Sequence, residues 1–110
     1  MDLNLNDKVA IVTGGSDGIG KAAAISLAKE GARVAIIARN QEKIDLAVKE
    51  ISETTNGNII GISTDVSDES EVKAMVSRVA DEFGRIDILI NNAGTSAATT
   101  LDKMTDEDLK

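Results

Sequence analysis

Residues 9–12 form an apolar run of strand length. From it the chain passes through Thr13-Gly14-Gly15-Ser16-Asp17-Gly18-Ile19-Gly20 straight into an alanine-rich stretch. A strand, a glycine turn and a helix in that order commit the chain to a βα unit whose helix folds back on a parallel sheet. The glycines have separate tasks: one permits the tight turn, one lets backbone N–H groups approach a ligand, and the last lets helix and strand pack closely. Read alone, such a turn could serve packing only. In its strand-turn-helix setting it faces a helix N-terminus, where unpaired N–H groups and the dipole attract phosphate.

The same alternation continues along the chain. Strand-length apolar runs at residues 8–13, 33–38, 58–63 and 86–91 alternate with helical stretches, the pattern of a doubly wound α/β sheet buried on both faces. Helices are expected at about 18–30, 41–54 and 69–83. The first carries small Ala22, Ala23 and Ala28 toward the sheet and stops at Gly31. The second has Ile44, Ala47, Val48 and Ile51 on one stripe with Asn40 as N-cap. The third has Val72, Met75, Val76, Val79 and Phe83, with Ser67 as its cap. The charged faces, including Glu42, Lys43, Lys49 and Glu50, read as solvated surface. Right-handed crossovers with a reversal after the third strand give the order 3-2-1-4, with a ligand crevice at the strand carboxyl ends.

Composition narrows the chemistry. The chain has 110 residues, enough for one domain, with 12 basic residues against 19 acidic ones and a net charge of −7. The basic residues are scattered, so nucleic acid is not an expected partner. No signal sequence or membrane-length apolar run is visible, and cysteine is absent, so the expectation is a cytoplasmic protein with no membrane partner. Histidine, tyrosine and tryptophan are also absent, leaving carboxylates, lysines and hydroxyls for acid-base work.

Glycines at 14, 18 and 20 read G-x-x-x-G-x-G after a threonine, unlike the G-x-G-x-x-G fingerprint. No Lys-Ser or Lys-Thr pair follows, so the turn is not a Walker A loop. A second motif, Asn91-Asn92-Ala93-Gly94, closes the fourth apolar run, and a third, Thr64-Asp65-Val66, closes the third run. By itself Asn91-Asn92-Ala93-Gly94 could be a plain strand-ending turn. Together the three resemble the short-chain dehydrogenase/reductase family over residues 8–94. That resemblance implies a dinucleotide site with Gly14, Ser16, Asp17, Gly18, Ile19 and Gly20 at the pyrophosphate. Asp65 accepts from the adenine amino group with Val66 beside the ring, and Asn92, Ala93 and Gly94 line the nicotinamide ribose. For Asp65 and Ser67 the alternative, capping the third helix, stays open.

Cofactor choice turns on the end of the second strand, about twenty residues past the glycines, where an acidic side chain would hold a ribose 2′-hydroxyl. Here stand Ala38 and then Arg39. A planar guanidinium pairs with a 2′-phosphate and stacks on adenine, so NADP is expected over NAD. Asp17 stands where some NADP-using relatives carry a second basic residue.

The family's reaction passes hydride between NAD(P) and a carbonyl or alcohol carbon through a Tyr-x-x-x-Lys pair, a serine and often an asparagine. This chain has no tyrosine, so no catalytic residue and no metal ligand is assigned. Thr105-Asp106-Glu107-Asp108 reads as a capping box, so a fourth helix is expected to start there. Residues 1–110 are thus expected to be the N-terminal dinucleotide-binding part of a longer protein, inactive alone. A small-molecule carbonyl or alcohol substrate and a homo-oligomer follow from the resemblance only. The alternative reading is a dinucleotide-sensing protein without catalysis. A methyltransferase on the same sheet is disfavoured by Arg39 and by Asn91-Asn92-Ala93-Gly94.

Overall fold

The computed structural model describes residues 5–14, 16 and 18–92. Asp17, Ala93, Gly94 and the capping box at 105–108 lie outside the described residues. The elements run β1 (Val9–Thr13), α1 (Gly18–Lys29), β2 (Arg33–Ala38), α2 (Gln41–Thr55), β3 (Ile59–Ser63), α3 (Glu69–Phe83) and β4 (Ile88–Asn91). They build a parallel sheet in the order β3-β2-β1-β4, as the alternating pattern implies. Because every strand is parallel, the carboxyl ends at Thr13, Ala38, Ser63 and Asn91 meet on one rim.

Side-chain alternation along the central strands feeds two cores. Val9, Ile11, Ala35, Ile37 and Ile62 face α3, which brings Val72, Met75, Val76 and Val79. Val12, Val34 and Ile36 face the other way, toward Ala24 and Ala28 of α1 and Ala47 and Ile51 of α2. Helices on both faces are what allow the central strands to be apolar throughout. Burying an isoleucine such as Ile36, fully excluded from solvent, contributes roughly 1.5–3 kcal/mol.

Several local expectations need correction. The face that α1 buries consists of Gly20, Ala24 and Ala28, not Ala22 and Ala23. Positions four apart recur on one side of a helix, and Ala22, which is exposed, falls out of phase with that face. The N-cap of α3 is Asp68, which accepts from the backbone N–H groups of Ser70 and Glu71; Ser67 lies one residue too early. Three strands start later than the apolar runs suggest, at Val9, Ile59 and Ile88, and α1 ends at Lys29 while α2 continues to Thr55. The extension of α2 reflects Thr54 and Thr55, whose hydroxyls donate to the carbonyls of Glu50 and Ile51. Asn40 does cap α2, taking the Lys43 N–H at 3.1 Å.

At the amino ends of β1 and β4 a carboxylate takes part in the strand pairing. Asp87 N–H donates to the Val9 carbonyl at 2.9 Å, and its Oδ2 accepts the Val9 N–H at 2.9 Å. Arg85 donates to Oδ1 through Nε at 3.1 Å and Nη2 at 2.7 Å. The Arg85 hydrogen bonds hold the Asp87 carboxyl below its ordinary value, with the Val9 N–H adding to them against partial desolvation. A depressed carboxylate stabilises the fold above its unfolded value and loses that contribution as pH falls through the folded one. The urea midpoint should therefore drop as pH falls below about 4, and Asp87→Asn should make the drop shallower. An identical pH profile in the variant would contradict this role.

On β3, Gly61 sits under α2: a Cβ there would run into the Ile44 methyl and come within 2.9 Å of Val48 Cγ2. Gly61→Ala should cost about 1–3 kcal/mol by overpacking. Urea denaturation measures this, and an unchanged midpoint would show that the helix has room to move.

Candidate dinucleotide site

The rim formed by the carboxyl ends of β1, β2 and β3 encloses a cleft of about 300 Å³. Gly14 and Ser16 line it from the loop after β1, Arg39 from the end of β2, and Val66 from the loop after β3. The structure thus brings together four residues expected at one ligand from separate parts of the chain. Gly18, Ile19 and Gly20 form the first turn of α1. Gly14 and Gly18 adopt φ of 68° and 56°, the left-handed region in which glycine carries no Cβ penalty. Ile19 is 79% exposed, a large apolar side chain left uncovered in that first turn.

Thr13 organises this rim, although sequence reasoning treated it only as the residue before the glycines. It is fully buried. Its hydroxyl lies 3.1 Å from Asn91 Oδ1 and 3.4 Å from the Ile90 carbonyl, and it accepts the Asn92 N–H at 2.8 Å. The next residue, Gly14, donates its N–H to the Ile37 carbonyl at 2.7 Å. Two consecutive residues therefore fasten the start of the glycine loop to β4 on one side and β2 on the other. A Cβ on Gly14 would lie 3.4 Å from Asn92 Nδ2, an ordinary contact, so it is the φ of 68° and not lack of space that favours glycine here.

Asp65 is not the N-cap of α3, which is Asp68. The Asp65 Oδ1 accepts from Ser67 N at 3.0 Å and Ser67 Oγ at 2.6 Å, closing a turn ahead of the helix rather than capping it. Its Oδ2 lies 3.8 Å from Arg39 Nη2. The Ser67 hydrogen bonds, and to a smaller extent the Arg39 charge, hold the Asp65 carboxyl below its ordinary value, so it stands ionised at the cleft edge. Arg39 keeps its side chain 78% exposed, and its main-chain carbonyl is held by Ser63 Oγ at 2.9 Å. An exposed pair at that distance is weak and is readily given up for a better partner.

The cleft also includes Asn40, Lys43 and Thr64, none of them expected as site residues. Thr64 lies in the quoted Thr64-Asp65-Val66 element. Lys43, one of the charges that read as solvated surface, is exposed and also stands on the cleft wall. Glu50 of the same group pairs with Lys21 of α1. Among the described residues no group of histidine, cysteine and carboxylate side chains could hold a metal, and no helix is long and apolar enough to cross a membrane.

Comparison with known proteins bears directly on this geometry. The short chain dehydrogenase family profile matches residues 8–110. The chain belongs to that family. It is 41% identical over 108 residues to the uncharacterized oxidoreductase YvrD of Bacillus subtilis, covering 98% of this chain and 40% of YvrD. L-sorbose reductase from Gluconobacter frateurii, complexed with NADPH and L-sorbose, superposes with a TM-score of 0.87 at 30% identity, covering 97% of this chain and 51% of that one. NAD+-bound xylitol dehydrogenase superposes with a TM-score of 0.88 at 28% identity, covering 94% and 48%. The chain thus spans about half the length of these solved enzymes and less than half of YvrD.

Thr13→Val keeps the volume and removes the hydroxyl, which should cost about 1–2 kcal/mol and speed amide hydrogen exchange at Asn92. A variant whose urea midpoint and exchange match the parent would show that β4 is held by the strand ladder alone.

Proposed function

We propose that this chain is the NADP(H)-binding part of a short-chain oxidoreductase that passes hydride between the nicotinamide and a carbonyl or alcohol carbon of a small-molecule substrate. The observation that carries the reading is the cleft at the strand carboxyl ends, bounded by the glycine loop and carrying Arg39 at its rim. Its residues fit a dinucleotide chemically. The first turn of α1 presents N–H groups to a pyrophosphate between Gly14 and Gly20, a stretch that also contains Ser16, Asp17, Gly18 and Ile19. Asp65 and Val66 take adenine, with the ionised Asp65 accepting its amino group. Asn92, Ala93 and Gly94 are assigned to the nicotinamide ribose.

One solved relative carries NADPH and another NAD+, so family membership leaves the choice of cofactor to the residues after β2. Ala38 offers no carboxylate to a ribose 2′-hydroxyl, and Arg39 offers a planar cation to a 2′-phosphate. When the cofactor binds, it supplies the hydride chemistry; these residues hold and orient it. The proton-transfer pair belongs to a part of the protein outside these 110 residues, which contain no tyrosine. In this reading the chain alone does not turn over, and the whole protein works as a soluble cytoplasmic homo-oligomer.

Arg39→Asp exchanges a phosphate partner for a repelling charge. NADPH affinity should fall by roughly fiftyfold or more, while NADH changes by only about threefold. Fluorescence titration of the two reduced cofactors reads this out, and equal losses would remove Arg39 as the selector.

A further inference from the structure

The chain leaving β3 is held at three successive residues. Ser63 Oγ donates to the Arg39 carbonyl at 2.9 Å and Thr64 N–H to the Ala38 carbonyl at 2.8 Å, so both tie this segment to the end of β2. Asp65 is tied to a different element: its N–H donates to the carboxylate of Glu71, in the first turn of α3, at 3.0 Å. Glu71 itself does not line the cleft. It borders the groove on the other side of Thr64, between β3 and α3, with Ile62 and Met75.

An acid at this position of a helix ordinarily reaches back to the N–H of the N-cap residue. Here the N-cap is Asp68, and its N–H already donates to the Asp65 carbonyl at 3.0 Å. Glu71 reaches past the cap to Asp65 instead. The helix dipole does not require that bond, because Glu69 also places an acid in the same turn. Asp65 is consequently fixed at three points: its N–H on Glu71, its carbonyl on Asp68, and its Oδ1 on the N–H and hydroxyl of Ser67. The acceptor outside this set is Oδ2, which lies 3.8 Å from Arg39 at the edge of the cleft. Val66, the next residue, lines the cleft from the same short segment.

We propose that Glu71 is a positioning residue for base recognition: by holding the Asp65 N–H, it sets where Oδ2 meets the 6-amino group of adenine. The inference rests on the NADP(H) reading above and on its assignment of Asp65 to adenine. The Glu71 bond is exposed to solvent, so its effect is more on direction than on stability. Hydrogen bonds weaken steeply as their angle closes, and an Asp65 freed to rotate presents its acceptor poorly.

The test uses the full-length protein and two reduced cofactors, NADPH and its 6-deamino analogue, in which hydrogen replaces the amino group of adenine. The analogue gives the acid no donor to meet, so the parent should bind NADPH about tenfold more tightly than the analogue. Glu71→Ala removes the bond but keeps a good helix former. Its preference should fall to about threefold or less through weaker NADPH binding, with the analogue within about twofold of the parent. Glu71→Gln keeps an amide oxygen that can accept the Asp65 N–H, and it should restore the parent's preference. A loss in Glu71→Ala that falls equally on both cofactors reports general loosening and overturns the proposal, as does an unchanged preference. A parent that prefers NADPH to NADH yet does not distinguish the analogue overturns the adenine assignment of Asp65 and the role of Glu71 with it, while the NADP(H) reading stands. A parent that binds neither reduced cofactor overturns both.

Discussion

The buried hydroxyl of Thr13 is the point at which sheet and site become one structure. In a parallel sheet each strand end is tied by backbone hydrogen bonds to its neighbouring strands, and β1 lies between β2 and β4. Thr13 reaches the end of β4 through Asn91 and Asn92, and Gly14 reaches the end of β2 through Ile37. The glycine loop consequently leaves the sheet from a fixed origin. Such fixation matters because backbone N–H groups attract phosphate only when they are already aimed, and a loop that had to order itself on binding would lose affinity to entropy.

The rim is also asymmetric in charge. The protein carries a net charge of −7, yet the described charged residues on the cleft wall are basic, with the ionised Asp65 at its edge held near Arg39. The hydrogen bonds from Ser67 lower the Asp65 carboxyl more than the Arg39 charge does, so its ionisation does not depend on the arginine.

Much of this was legible in the chain because each signal was local. The order 3-2-1-4 follows from the alternation of apolar runs with helical stretches and from crossover handedness, and α3 runs from Glu69 to Phe83 as its heptad-like stripe indicates. What could not be read was set by tertiary contact. The later start of the first run, at Val9, accompanies a bond to the Asp87 side chain at 78 residues' separation. The choice of Asp68 over Ser67 as cap followed from Ser67 being engaged by Asp65. Lys43 looked like surface because it is surface; only the fold shows that this surface is a cleft wall. Thr13 gave no signal beyond its position, since a buried hydroxyl is recognised by its partners and these lie on β4.

The central claim is that the glycine loop and the ends of β2 and β3 hold one NADP(H) molecule. A crystal structure of the protein with NADPH tests it most directly. The account predicts the pyrophosphate against residues 14–20, the adenine between Arg39 and Val66, and the 2′-phosphate within hydrogen-bonding distance of Arg39. A 2′-phosphate pointing to solvent away from Arg39, or a nucleotide bound elsewhere on the sheet, would contradict it.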